Sequence, residues 1–289
     1  MQLKHHLLSA LYHPLKNYNR LLGSLTSKQD KRLRVLLYHD IKTADQSRFE
    51  AQLSWLSRSW QFISPSDFGA IISGEMPILK DSLLLTFDDG FYSNRKIAEM
   101  VLNPMGIKAL FFIVSEFAAL SKPEDLYFFI SQNIYPGMRF ADIPVHLRNM
   151  SWKDLEFLIK TGHSIGAHTA NHACLKKMSK ANLEKEIILS ANSMEQKLGL
   201  KIEHFAYTFG NLASFSPEAL ELARSRFKYI HTGLRGFNSS RVRPWAIRRD
   251  AINANDSLSL LGALLEGAAD FVYSSDLITY ESWGSQTKC

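Results

Sequence analysis

The chain has 289 residues, 46% hydrophobic and 21% charged, which is enough apolar mass for one large α/β domain and unlike a disordered chain. Its net charge of +6 permits an acidic polymer or an anionic membrane surface as partner, but no basic run, zinc knuckle or aromatic-basic motif argues for nucleic acid. Two distant cysteines, Cys174 and Cys289, indicate no disulfide framework, and no apolar run reaches the ~18 residues of a spanning helix.

Residues 1–30 predict an N-terminal amphipathic helical extension. Leu7, Leu8, Leu11, Leu15, Leu21 and Leu22 are set among Lys4, His5, His6, Lys16 and Arg20. The apolar stretch Leu7–Tyr12 is too short and too interrupted for a secretory signal core. The expectation is a cytoplasmic protein whose helix packs on the domain; the sharper alternative is a helix lying on an anionic membrane face. Ser27–Lys31 reads as a linker.

Arg34–Tyr38 reads as a buried strand that ends in His39-Asp40. His39 is a candidate site residue, against the plainer account of a hydrogen-bonded structural histidine. Phe49, Leu53, Leu56 and Trp60 recur at helical spacing over 47–60, and 65–72 reads as a second helix ended by Gly74. Ser82–Leu85 is a short apolar strand that runs into Thr86-Phe87-Asp88-Asp89-Gly90. A helical pattern over 96–102 and a continuous apolar strand over 109–114 follow. Residues 121–149 break the rhythm with three prolines and several aromatics. They read as an insertion packed on the rim, with a wall for sugar rings as the functional alternative. Ser151 opens a helix, with Asp154 three residues on and Gly162 beyond its end.

Ser164–Ala167 is the next strand, leading to His168-Thr169-Ala170-Asn171-His172. A long helix over 179–198 closes at Gly199. The strand 202–206 runs into Tyr207-Thr208-Phe209-Gly210. Residues 229–232 and 243–249 are strand-like, 257–265 is a final helix, and the polar segment after Tyr273 is expected to fray. Strands alternating with helices imply a parallel sheet or barrel.

Two motifs carry chemistry. Neighbouring side chains on an extended backbone point in different directions, so Asp88 and Asp89 divide their work. One can hold a metal while the other stays free to take a proton; the bland account is Asp-Gly turn chemistry. His168 and His172, four apart, share a face if a helical turn starts there; a capping or core role is the alternative. Asp89, His168 and His172 together make a three-ligand site of the zinc type with an open position. Cys174 could be a fourth ligand but is preferred as a small core residue, because a fourth protein ligand would close the site.

TFDDG followed by HTANH, with Gly166 before and Leu175 and Ser179 after, resembles the NodB-like polysaccharide deacetylases, carbohydrate esterase family 4. The resemblance covers about residues 33–250. It implies a distorted (β/α)7-type barrel; the single domain is expected over 31–275, and the polar residues 276–289 read as a tail. It also implies Asp88 as catalytic base and Asp89, His168 and His172 as ligands of a divalent metal, Zn2+ before Co2+ or Ni2+. The Tyr38-His39 strand end resembles the poly-N-acetylglucosamine deacetylase branch, where motif order is permuted and an early histidine is the general acid. His39 is therefore the candidate acid; no histidine follows His231.

Tyr207-Thr208-Phe209-Gly210 resembles the family's third motif, Arg-x-Pro-Tyr-Gly, with Ala206 in place of Arg, Thr208 of Pro and Phe209 of Tyr. The resemblance gives the Phe209 N–H the oxyanion role, which a change of side chain leaves intact. Arg249, with Arg248 as alternative, resembles an arginine that supports the base; a surface pair is the plainer account. Tyr207 and Trp245 are the candidate substrate-binding aromatics. The expected function is metal-dependent removal of N-acetyl groups from amino sugars of a cell-surface polysaccharide or its precursor. The alternatives are a formyl or other amide substrate on the same metal, or an inactive carbohydrate-binding homologue.

Overall fold

The computed structural model describes residues 2–25, 31–239 and 242–286. Eight strands form one sheet: β1 (Leu33–Tyr38), β2 (Gln61–Phe62), β3 (Ser82–Phe87), β4 (Ala109–Ile113), β5 (Ser164–Ala167), β6 (His204–Ala206), β7 (Tyr229–His231) and β8 (Asp250–Ala251). Every pairing is parallel, in the order β7-β6-β5-β4-β3-β1-β8, with β2 against β3. The sheet curls into a half-barrel ringed by helices, the distorted (β/α)7 architecture expected.

The apolar runs of β1, β3 and β4 follow from burial on both faces. Leu83, Leu85 and Phe87 of β3 pack outward under the helices. Leu84 packs with Val35, Leu110, Phe112, Ala206 and Ile247 on the concave side. Residues 121–149 form the helix Pro123–Phe129, its π-helical continuation Ile130–Ile134 and a short turn at Phe140–Asp142. Phe129, Ile130, Ile143 and Leu147 pack with Phe91, Val114 and Phe117, so this segment is an insertion on the rim.

Several elements differ from expectation. The helix expected over 47–60 is Gln46–Leu56; the chain then turns, buries Trp60 and enters β2. Residues 243–249 are not a strand: only Ile247 bridges, to His231. The segment after Tyr273, expected to fray, is the helix Ser274–Gln286. Leu277 and Tyr280 bury its inner face, and the Tyr280 hydroxyl donates to the Trp245 carbonyl at 2.8 Å. Sparse apolar residues suffice because helical spacing sets them on one face.

The N-terminal extension forms two helices, Gln2–Ala10 and Tyr12–Leu25, that pack on the helix Leu258–Leu265. Gly262 permits this approach, since a Cβ there would lie 2.5 Å from the Tyr12 ring. Asn19 donates to the Glu266 carboxylate at 2.8 Å. No helix among the described residues is long and apolar enough to cross a membrane. Residues 27–30 of the expected linker, and Cys289, lie outside the described residues.

Candidate metal and catalytic site

β1 and β3 pair with Tyr38 opposite Phe87, so His39 and Asp88 leave the sheet at the same level. Asp88 continues the alternation of Leu84 and Thr86 and faces the concave side. Asp89 would point away if the strand went on. Instead its φ is +71°, and the turn brings its carboxylate into the same cleft. The non-glycine residues with positive φ among those described are Asp89, Thr169, His172 and Phe209, and all four surround this cleft. Such backbone costs about 1–3 kcal/mol each and collects at functional sites.

His168–His172 does not form the helical turn that the spacing alone would need to set both imidazoles on one face. Thr169 and His172 are left-handed, at φ +64° and +56°. His168 N–H donates to the Ile113 carbonyl, and Ser115 and Glu116 N–H donate to the carbonyls of Thr169 and Ala170. This loop sets the two imidazoles 5.5 Å apart, with His172 Nε2 3.3 Å and His168 Nε2 3.6 Å from Asp89 Oδ1.

The protonation pattern follows from the outer partners. His168 Nδ1–H donates to the Ala206 carbonyl and His172 Nδ1–H to the Asn133 carbonyl, each at 2.9 Å. With both rings neutral, each Nε2 presents a lone pair to Asp89 Oδ1, a buried oxygen without a hydrogen-bond partner. Three lone-pair donors facing one another repel unless a cation joins them. Tetrahedral zinc, with ligands at ~2.0–2.1 Å, sets its donors about 3.3–3.4 Å apart, close to the distances of 3.3 and 3.6 Å from Asp89 Oδ1 to the two imidazoles. Burial pushes the Asp89 carboxyl up, but His168 and His172 outweigh it and hold it well below the usual carboxylate range. Burial pulls His172 down, and Asp89 more than restores it, above the ordinary imidazole value.

Asp88 stands outside the three-ligand group. Arg249 holds it through Nη1–Oδ1 and Nη2–Oδ2 at 2.7 and 2.9 Å, and Arg249 Nε–H donates to the Thr232 carbonyl. Arg248, the alternative, instead pairs with Glu281 at 3.0 Å and ties down the C-terminal helix. The Phe209 ring, 48% exposed, lies 4.8 Å from His172. Among the described residues its N–H meets no acceptor. Next to it, Gly210 and Gly233 approach too closely for a side chain: a Cβ on Gly210 would lie 2.7 Å from Gly233. His39 is exposed just past β1, close enough for its charge to lower Asp89.

Two expected residues are elsewhere. Tyr207 shares the outward side of β6 with Phe205, opposite Ala206, and stacks on Phe215 at 4.0 Å. Trp245 is buried beneath the C-terminal helix against Gly284 and Tyr280. Neither ring offers a face to a ligand, so both are corrected to core residues. Cys174 is neither ligand nor core: it is exposed, with Sγ 3.6 Å from the Ser214 carbonyl. Sequence reasoning missed Asn133 and Thr232, which act through backbone carbonyls that no side-chain motif can signal. Tyr135, one of the aromatics of the inserted segment, has its hydroxyl pushed up by burial and by Asp89 and Asp40.

The profile of the polysaccharide deacetylase family matches residues 77–226, just over half of the chain, and spans both motifs. The YxkH protein of Bacillus subtilis (strain 168) is 21% identical over 249 residues, covering 84% of this chain and 79% of that one. The structure of IcaB from Ammonifex degensii superposes with a TM-score of 0.64 at 22% identity, over 83% of this chain and 99% of that one. A de-N-acetylase from Aggregatibacter actinomycetemcomitans gives 0.65 at 16% identity, over 81% and 100%. At these identities the structural likeness is one of fold.

Proposed function

We propose that this chain, which belongs to the polysaccharide deacetylase family, is a metal-dependent N-deacetylase. On this reading it releases acetate from amino sugars of a cell-surface polysaccharide or its precursor. One observation carries the reading: Asp89 Oδ1 and the Nε2 atoms of His168 and His172 converge, while Asp88 beside them is held off by Arg249.

Asp89, His168 and His172 would hold the ion. A bound divalent cation supplies Lewis-acid polarisation of the acetyl carbonyl and makes water easier to deprotonate. Asp88, held by two hydrogen bonds from Arg249, accepts the proton of the attacking water. The water oxygen bonds to the carbonyl carbon, and the Phe209 N–H donates to the oxygen that becomes negative. His39, level with Asp88 on the next strand, gives its proton to the leaving nitrogen as the C–N bond breaks. The products are acetate and a free amino sugar.

The test pairs zinc analysis with acetate release from chitooligosaccharides, for wild type and Asp88→Asn. The wild type should carry zinc and release acetate, and the variant should carry zinc and release none. Acetate release by the variant at the wild-type rate would refute Asp88 as base.

A further inference from the structure

We propose that Glu186 is a positioning residue that sets the metal-ligand loop, an inference that rests on the metal-site reading above. Glu186 is 7% exposed and comes from the helix behind the loop. Its Oε2 accepts the backbone N–H groups of Ala170 and Asn171 at 3.0 and 2.9 Å, and its Oε1 accepts Asn171 Nδ2–H at 2.8 Å. Both backbone donors lie between His168 and His172.

The loop needs such a partner. With Thr169 and His172 left-handed, it forms no helical turn to take up its own N–H groups. A buried N–H without an acceptor costs about 1–3 kcal/mol, and a carboxylate acceptor makes the stronger, charge-assisted bond. The helix is built to deliver that carboxylate. Between Lys180–Glu184 and Ser190–Leu198 it widens into the π-helical turn Lys185–Leu189. The extra residue lets Glu186 face the loop while Leu183 and Ile187 stay in the core. Glu186 touches neither substrate nor ion; it acts through the backbone that aims the two imidazoles.

The experiment uses the full chain freed of metal. Zinc affinity is measured by competition with a chromophoric chelator for wild type, Glu186→Ala and Glu186→Gln. Amide exchange at Ala170 and Asn171 is followed in the same samples, with circular dichroism as the check on folding. Loss of an outer partner of this kind weakens metal binding by ~10–100-fold, and that is the expectation for Glu186→Ala. The Ala170 and Asn171 amides should lose protection in that variant. Glu186→Gln keeps one oxygen for the two backbone donors and should recover most of the affinity. Should Glu186→Ala fail to fold, Glu186→Gln decides: it should fold, with weaker protection of the Asn171 amide than wild type. Wild-type affinity and protection in both variants would overturn the inference. A wild-type chain that binds no zinc would overturn the metal-site reading itself, a separate result read before any variant is made.

Discussion

Asp88 and Arg249, 161 residues apart in the chain, meet in two parallel hydrogen bonds of 2.7 and 2.9 Å, both side chains buried. A fork-to-carboxylate pair fixes the carboxylate plane as well as its position. It keeps Asp88 Oδ2 3.7 Å from His168 Nε2, near the three ligands but not among them. Position 206, where the family motif carries arginine, is a buried alanine, and Arg249 supplies a guanidinium from another part of the chain.

Arg249→Lys keeps the charge but loses the planar fork. We expect the variant to bind zinc normally while kcat falls by about 100-fold, the scale of a misplaced catalytic group. Metal analysis and acetate release check this, and wild-type kcat would rule out an orienting role. Arg249→Ala leaves a buried carboxylate unpaired and should also lose about 3–5 kcal/mol of stability in urea unfolding.

Removing divalent ions with a chelator should abolish acetate release, and added Zn2+ should restore it. Because the ligand set forms only in the folded chain, zinc at 100 times its Kd should raise stability by about 2.7 kcal/mol. Thermal melts with and without zinc measure this. Asp88→Asn should keep the increment, and Asp89→Ala and His172→Ala should lose it. An increment unchanged in His172→Ala would remove that residue from the ligand set.

A buried histidine pair between β6 and β7 predicts acid lability. His204 Nδ1 and His231 Nε2 lie 3.0 Å apart, both buried. Burial pulls both imidazoles down, His204 to about 3, with Lys228 and Arg249 adding to the effect on His204 and His231 respectively. The unfolded chain takes up these protons near 6.5 and the folded chain does not. Stability present above pH 6.5 is therefore lost as pH falls toward 3. At pH 5 the loss from His204 alone is about 2 kcal/mol. Urea unfolding at pH 7.5 and pH 5 measures it, and His204→Gln should show a smaller loss. Equal losses in both proteins would contradict this account.

Trp245 and Tyr280 belong to the seal made by the C-terminal helix. Tyr280→Ala removes a fully buried ring and should cost about 3–5 kcal/mol. Trp245→Ala should likewise lower the melting temperature and leave KM for chitooligosaccharides unchanged. A raised KM at unchanged stability would return Trp245 to the binding surface.

The alternation of strands and helices, and the two motifs at strand ends, are legible in the chain because each is written in consecutive residues. Apolar runs bounded by Asp-Asp-Gly or by His-Thr-Ala-Asn-His carry their meaning locally. The HxxxH spacing is legible but its conformation is not: helical periodicity is the default for that spacing, and a left-handed Thr169 runs against the preference of a β-branched residue. Tyr207 and Trp245 read as ligand-facing because aromatics near a motif look the same from either side of a strand. Only sheet parity and the docking of the last helix bury them away from the cleft.

Residue order alone established which side chains are available and at which strand ends they emerge. The fold decided which of them meet: Arg249 with Asp88, Asn133 with His172, Glu186 with the loop between the imidazoles. Those meetings depend on sheet register, an inserted segment and a widened helical turn. Such long-range features arise from the packing energy of the whole domain, which no window of neighbouring residues contains.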